Sequence, residues 1–164
     1  GDKEGLFSAL VEPVVQGLLQ MFCHTQEVFH SLDKETQRRS MPQYTAKHMS
    51  KLLDYVYTHF NTFRLLLDSS YGTKYHHFID EMVRIEVKYT YEYMEVIGCE
   101  STKRGIVTED FLHIITTAYF EGVFEVVRHN MQMSHAQKYI HMLMLYHTAG
   151  FEAIFSQQAN KHTN

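Results

Sequence analysis

Apolar positions recur along this 164-residue chain at intervals of three and four, and almost nowhere in alternation. That interval is one face of an α-helix rather than one face of a strand. Over 4–31, Leu6, Leu10, Val14, Leu18, Phe22 and Phe29 mark a single stripe, and Pro13 inside it predicts a kink or a split-off first turn. The polar stretch "LDKETQRRS" breaks the pattern and reads as a loop. A second helix begins at Ser40, which pairs with Gln43 as a capping box, with Pro42 suited to a first turn. It continues to Leu67 through Leu52, Leu53, Val56, Phe60 and Phe63, with a break expected near "THFN". "DSSYGT" ends it, Gly72 being the left-handed stop. A third helix spans 75–97 with Gly98 behind it, and "GCESTKRGIV" is a loop. Thr108, followed by Glu109 and Asp110, caps a fourth helix that ends near Asn130. Ser134 with Gln137 opens a fifth that runs to 156, and "QQANKHTN" reads as a frayed tail. The expected fold is all-α, an antiparallel helical bundle of five to six helices in one domain over 1–164.

The last two helices carry more apolar surface than one core needs. Phe111, Ile115, Ala118, Gly122 and Val126 form one face of the fourth, and Leu112, Tyr119, Val123 and Val127 widen it. On the fifth, Ala136, Ile140, Leu143, His147, Gly150 and Ile154 form a stripe, while Tyr139, Met142 and Tyr146 cover another side. A core-facing helix needs a stripe of little more than about 100°. The excess predicts a homodimer through an intermolecular four-helix bundle, with Gly122, Val126, Ile140, Leu143, His147, Gly150, Phe151 and Ile154 at the seam. The other reading makes both helices central in a monomer. His147 is expected as a neutral, hydrogen-bonded histidine in that seam rather than a pH switch.

Composition narrows the function classes. Hydrophobic content of 45% and charged content of 21% are those of an ordinary globular protein. The formal charge is −4, with Lys and Arg scattered, so no face is expected to track a phosphate backbone. Cys23 and Cys99 stand alone, with neither metal-knuckle nor disulfide spacing, which suits a reducing cytoplasm. Apolar runs such as 142–146 are short, so no membrane span is expected. No nucleophile elbow, phosphate loop or zinc motif is present, so the chain is not expected to be an enzyme, and no cofactor or metal is expected. Among the 12 histidines, Glu27–His30 matches the Glu-x-x-His spacing of di-iron proteins and Asp110–His113 approximates it, which chance pairing with 19 acids explains.

The third helix carries the candidate chemistry. Phe78, Met82, Ile85, Tyr89 and Tyr93 share one face, and Glu86 is inset among them, while Asp80, Glu81, Arg84, Lys88 and Glu95 lie opposite. A lone acid on such a face is costly to bury unless it is paired. Two readings stand: a pocket wall in which Glu86 orients an apolar, cationic ligand, and an edge acid satisfied by a tyrosine or histidine. Arg64 and Asp68 read as an exposed i,i+4 pair.

Lys3, Glu4, Leu6 and Phe7 resemble the Lys-Glu-x-Leu-Phe-like junction behind the DNA-reading helix of one regulator family. "FRLLLDSSYGTKYHHFIDEMVRIE" and "YFEGVFEVVRHNMQMSHAQKYIHMLMLYHTAGF" are similar to segments of a bacterial branch of it. On these motifs nearly the whole chain resembles the C-terminal regulatory domain of TetR-family transcriptional regulators. Phe151 departs from the pattern, since relatives often carry Trp there. The resemblance implies a helix-turn-helix head that would precede Gly1 and is absent from this sequence, with DNA bound only through that head. It also implies a cytoplasmic sensor of a small, largely apolar effector. The family's pocket position makes Phe60, Phe63 and Leu67 the wall opposite the third helix, with Phe120 or Phe124 closing the end. The alternatives are a metal-dependent, ferritin-like enzyme and a plain dimerisation module without ligand.

Overall fold

The computed structural model describes residues 3–156, which form seven helices and, among the described residues, no strand: α1 (Lys3–His30), α2 (Lys34–Thr58), α3 (Phe60–Ser69), α4 (Phe78–Ile97), α5 (Glu100–Lys103), α6 (Glu109–Arg128) and α7 (Met133–Ser156). The expected frayed tail lies outside the described residues. The chain is therefore all-α.

Several boundaries differ from the expected ones for identifiable reasons. α1 runs unbroken through Pro13, whose ring faces outward. "LDKETQRRS" is mostly helix, not loop. Asp33 is the true cap of α2: its carboxylate accepts from the Thr36 amide at 3.0 Å and from the Thr36 hydroxyl at 2.6 Å. The buried Gln37 side chain then ties the turn down by donating to the carbonyls of Leu32 at 2.7 Å and His30 at 3.3 Å. Ser40 is consequently interior, donating its hydroxyl to the Thr36 carbonyl at 2.7 Å. The break expected near "THFN" falls at His59, between α2 and α3. Gly98 ends α4 in the left-handed region at φ 73°, where the Cys99 amide returns to the Met94 carbonyl at 2.9 Å. The loop behind it holds one further helical turn, α5. Thr108 caps α6 as its sequence suggested, accepting from the Phe111 amide at 3.2 Å.

α4 and α6 pack most extensively on each other, and α1 packs on α2, α3 and α4. α7 rests chiefly on α6. α1 is long and apolar enough to cross a membrane by length and composition alone, as the core helix of a globular protein can be. Its stripe is used here in the core, where Val11, Leu18 and Phe22 are fully buried. At the α3 end the core is solid: Phe63, Phe78 and Phe124 meet with ring centroids 5.2–6.2 Å apart.

Gly17 sets the distance between α1 and α2. A Cβ there would collide with the Tyr55 hydroxyl, which donates to the Val14 carbonyl at 2.8 Å. Gly17→Ala is expected to displace Tyr55 and lower stability by about 1–2 kcal/mol, despite the better helix propensity of Ala. A urea melt checks this, and Gly17→Ala on a Tyr55→Phe background should cost less.

Candidate functional site

The opposite half of the core is open. A cavity of about 580 Å³ lies among α1, α2, α4, α6 and α7. Its floor is Phe22 and Phe120, whose rings meet edge-on at 5.6 Å. Tyr44 and His48 wall it on α2, Tyr89 and Tyr93 on α4, Thr116 and Tyr119 on α6, and Met144, His147 and Phe151 on α7. The exposed lining residues are Arg38, Pro42 and Thr45 of α2 and Thr148 and Glu152 of α7, so the mouth opens between those two helices. Arg38 there is held by donating to the Ile97 carbonyl, the end of α4, at 2.9 Å.

Glu86 projects into this space from α4. Its Oε2 accepts from Gln26 Nε2 at 2.6 Å, and Gln26 Oε1 accepts from the Tyr44 hydroxyl at 2.8 Å. The relay therefore spans α2, α1 and α4 and fixes which way the Gln26 amide faces. Glu86 lies deep in the fold, with its uncovered surface open to the cavity it lines. Burial pushes its carboxyl up to about 7, and the Gln26 hydrogen bond offsets only part of that. Tyr44 and Tyr119 are both driven upward, first by burial and then by the nearby Glu86 charge.

The histidines around the cavity are shifted towards neutrality. His48 is brought down to about 4 by burial, with Lys51 adding to the effect, and its Nε2 is buried without a hydrogen-bond partner. Its ring packs on Phe22 at 4.6 Å. Burial also lowers His147, which stacks on Tyr119 at 4.4 Å, and His30, which lies 4.9 Å from Tyr89.

The expected ligand residues are split between the two halves of the core. Glu86, Tyr89, Tyr93 and Phe120 line the cavity. Phe63, Phe78 and Met82 are buried in the solid half, and Phe60, Leu67 and Ile85 are half-buried against the core outside the lining. The wall opposite α4 is formed by α1 and α2, not by Phe60, Phe63 and Leu67. Of the expected seam residues, His147 and Phe151 face the cavity. Val126 and Ile140 are buried within the chain, and Gly122 abuts Leu143 of the same chain, where an added Cβ would sit 3.3 Å from Leu143 Cδ2. Gly150 is exposed and Ile154 half-buried. The acid's partner is Gln26, neither tyrosine nor histidine. Gln26 and His48 escaped the sequence reading, yet both occupy stripe positions: Gln26 is four after Phe22 and His48 four before Leu52.

The pairs that suggested a di-iron site are apart. Glu27 is exposed on α1, Asp110 and His113 are exposed at the start of α6, and His30 lines the cavity. Among the described residues no group of three or more His, Cys, Asp or Glu side chains converges. The fold and site define an all-α protein with a deep, aromatic, acid-bearing cavity. No protein-family model, curated protein or solved structure matches this chain.

Proposed function

We propose that this chain is the effector-binding and dimerisation domain of a TetR-like transcriptional regulator, in which a small, largely apolar molecule occupies the cavity and controls DNA binding by a helix-turn-helix domain outside this sequence. The observation that carries the reading is the cavity of about 580 Å³ itself, large enough for a small molecule and walled by aromatic side chains around a single inset acid. Its walls come from five helices, α1 among them, so a ligand that prefers one arrangement of the walls also biases the position of α1. In a regulator of this type α1 would connect to the DNA-binding head, which makes the coupling physical.

The same reading pairs α6 and α7 with those of a second copy in an antiparallel four-helix bundle. Ile114 (66% exposed), Met142 (65%) and Tyr146 (82%) support it, because they leave apolar surface outside the cavity and the core. Met142→Glu is expected to separate the dimer at micromolar concentration with helicity unchanged, read by sedimentation and circular dichroism. Ile140→Glu should instead unfold the chain, since Ile140 is buried inside it.

Native mass spectrometry of the purified protein, followed by a thermal-shift screen of apolar compounds, tests the sensor reading. The expected result is a copurified small molecule or a set of stabilising hits. A hit present at 100 times its dissociation constant should add about 2.7 kcal/mol to the folding free energy. A protein that carries nothing and responds to nothing would be a plain dimerisation module.

A further inference from the structure

We infer that the molecule seated in the cavity carries a positively charged nitrogen, placed against the Glu86 carboxylate among the lining tyrosines Tyr44, Tyr89 and Tyr119. This rests on the reading of the cavity as an effector site and names the chemical class of the effector. Only one Glu86 oxygen is engaged: Oε2 takes the Gln26 amide, and among the described residues Oε1 has no hydrogen-bond partner. No cation of the lining is paired with Glu86. Arg38 is at the mouth and committed to the Ile97 carbonyl, and burial suppresses the charge of His30, His48 and His147. Lys88 Nζ lies over the Tyr89 ring at 5.2 Å but outside the lining, so the carboxylate itself has no cation paired with it. Such a carboxylate among tyrosine rings is a site for someone else's cation, because aromatic rings add a favourable quadrupole term to the charge pair.

Proton exchange follows from this arrangement. With the cavity empty, Glu86 at about 7 is largely protonated at pH 6. A bound cation favours the ionised form, so binding at that pH expels the proton to solvent. The other titratable and charged groups facing the site are His30 on α1, Arg38, Tyr44 and His48 on α2, Tyr89 and Tyr93 on α4, Tyr119 on α6 and His147 on α7, with Glu152 at the mouth as Arg38 is. A histidine gaining charge at low pH would also repel a cation, so the test must separate the two sources.

The test is calorimetric titration of the whole chain with benzyltrimethylammonium, whose charge is fixed, against neopentylbenzene, its neutral carbon isostere. The ammonium is expected to bind more tightly than the hydrocarbon at pH 8. Its affinity should fall by about tenfold at pH 6, the ratio of ionised Glu86 fractions for a group at about 7. In buffers of differing ionisation enthalpy, nearly one proton should leave per ammonium bound at pH 6. Glu86→Gln should abolish both the preference for the cation and its pH dependence, and keep the hydrocarbon. A hydrocarbon that binds as well as the ammonium at pH 8 overturns the cationic class while leaving the sensor reading in place. A pH dependence that survives in Glu86→Gln assigns it to the histidines and overturns the role of Glu86. If neither compound binds, this inference falls, while the sensor reading stands or falls on the native mass spectrometry and the screen.

Discussion

Replacing Glu86 with Gln is expected to stabilise the ligand-free protein by about 3 kcal/mol at pH 8 and to leave its stability nearly unchanged at pH 4. The carboxyl moves from an ordinary 4.5 to about 7 on folding, and a displacement of that size is worth about 3 kcal/mol. The sign follows from proton counting. Between those values the folded state holds a proton that the unfolded state has lost, so stability falls as pH rises through that window. Above it the fold carries a buried, ionised carboxylate. Gln is shaped like the protonated acid and keeps an oxygen for the Gln26 amide, so it removes the penalty where the penalty exists. For a chain of this length the gain is several degrees in melting temperature. His48 works in the opposite direction over nearly the same range. Held at about 4 against an ordinary 6.5, it contributes stability that is complete above 6.5 and is lost as pH falls through 4. The two slopes nearly cancel between 4.5 and 6.5. The wild type should therefore look insensitive to pH there, and Glu86→Gln should unmask a loss of stability on acidification. Urea melts of both proteins at pH 4, 6 and 8 check this; equal stability at pH 8 would show that Glu86 is better solvated than its position indicates.

Phe63→Ala is expected to cost about 3–5 kcal/mol, the range for removing a buried aromatic ring. Phe63 is fully buried, and its ring lies 5.9 Å from Phe124 and 6.2 Å from Phe78, so no neighbour can collapse into the space without losing its own packing. The fraction that remains folded should keep the affinity of the wild type for any cavity ligand, because the ring is not in the lining. Tyr89→Ala should behave the other way. Its half-buried ring lines the cavity and packs beside His30, so binding changes more than stability. Denaturant midpoints together with calorimetric affinities distinguish the two. A Phe63→Ala variant that binds differently at unchanged stability would place the ligand wall where the family resemblance implies it.

The all-α class was legible from the sequence because helical periodicity is local. Thr108 as a cap, Gly98 as a left-handed stop and the long stripes on α1, α4 and α6 each depend on residues within a few turns. Glu86 was legible for the same reason: its own helix shows it to be an acid in apolar company. Its partner was not, since Gln26 lies 60 residues away and meets it only when α1 packs on α4. The start of α2 was misplaced because two cap signals compete over 33–43, and the buried Gln37 that decides between them acts through the tertiary turn between α1 and α2. Phe63 and Phe120 carry the same side chain on similar apolar stripes, yet one fills the solid half of the core and the other floors the cavity. Periodicity states that a residue faces inward. Whether it meets protein or empty space there depends on which helices converge at that level, and that is a property of the packed whole.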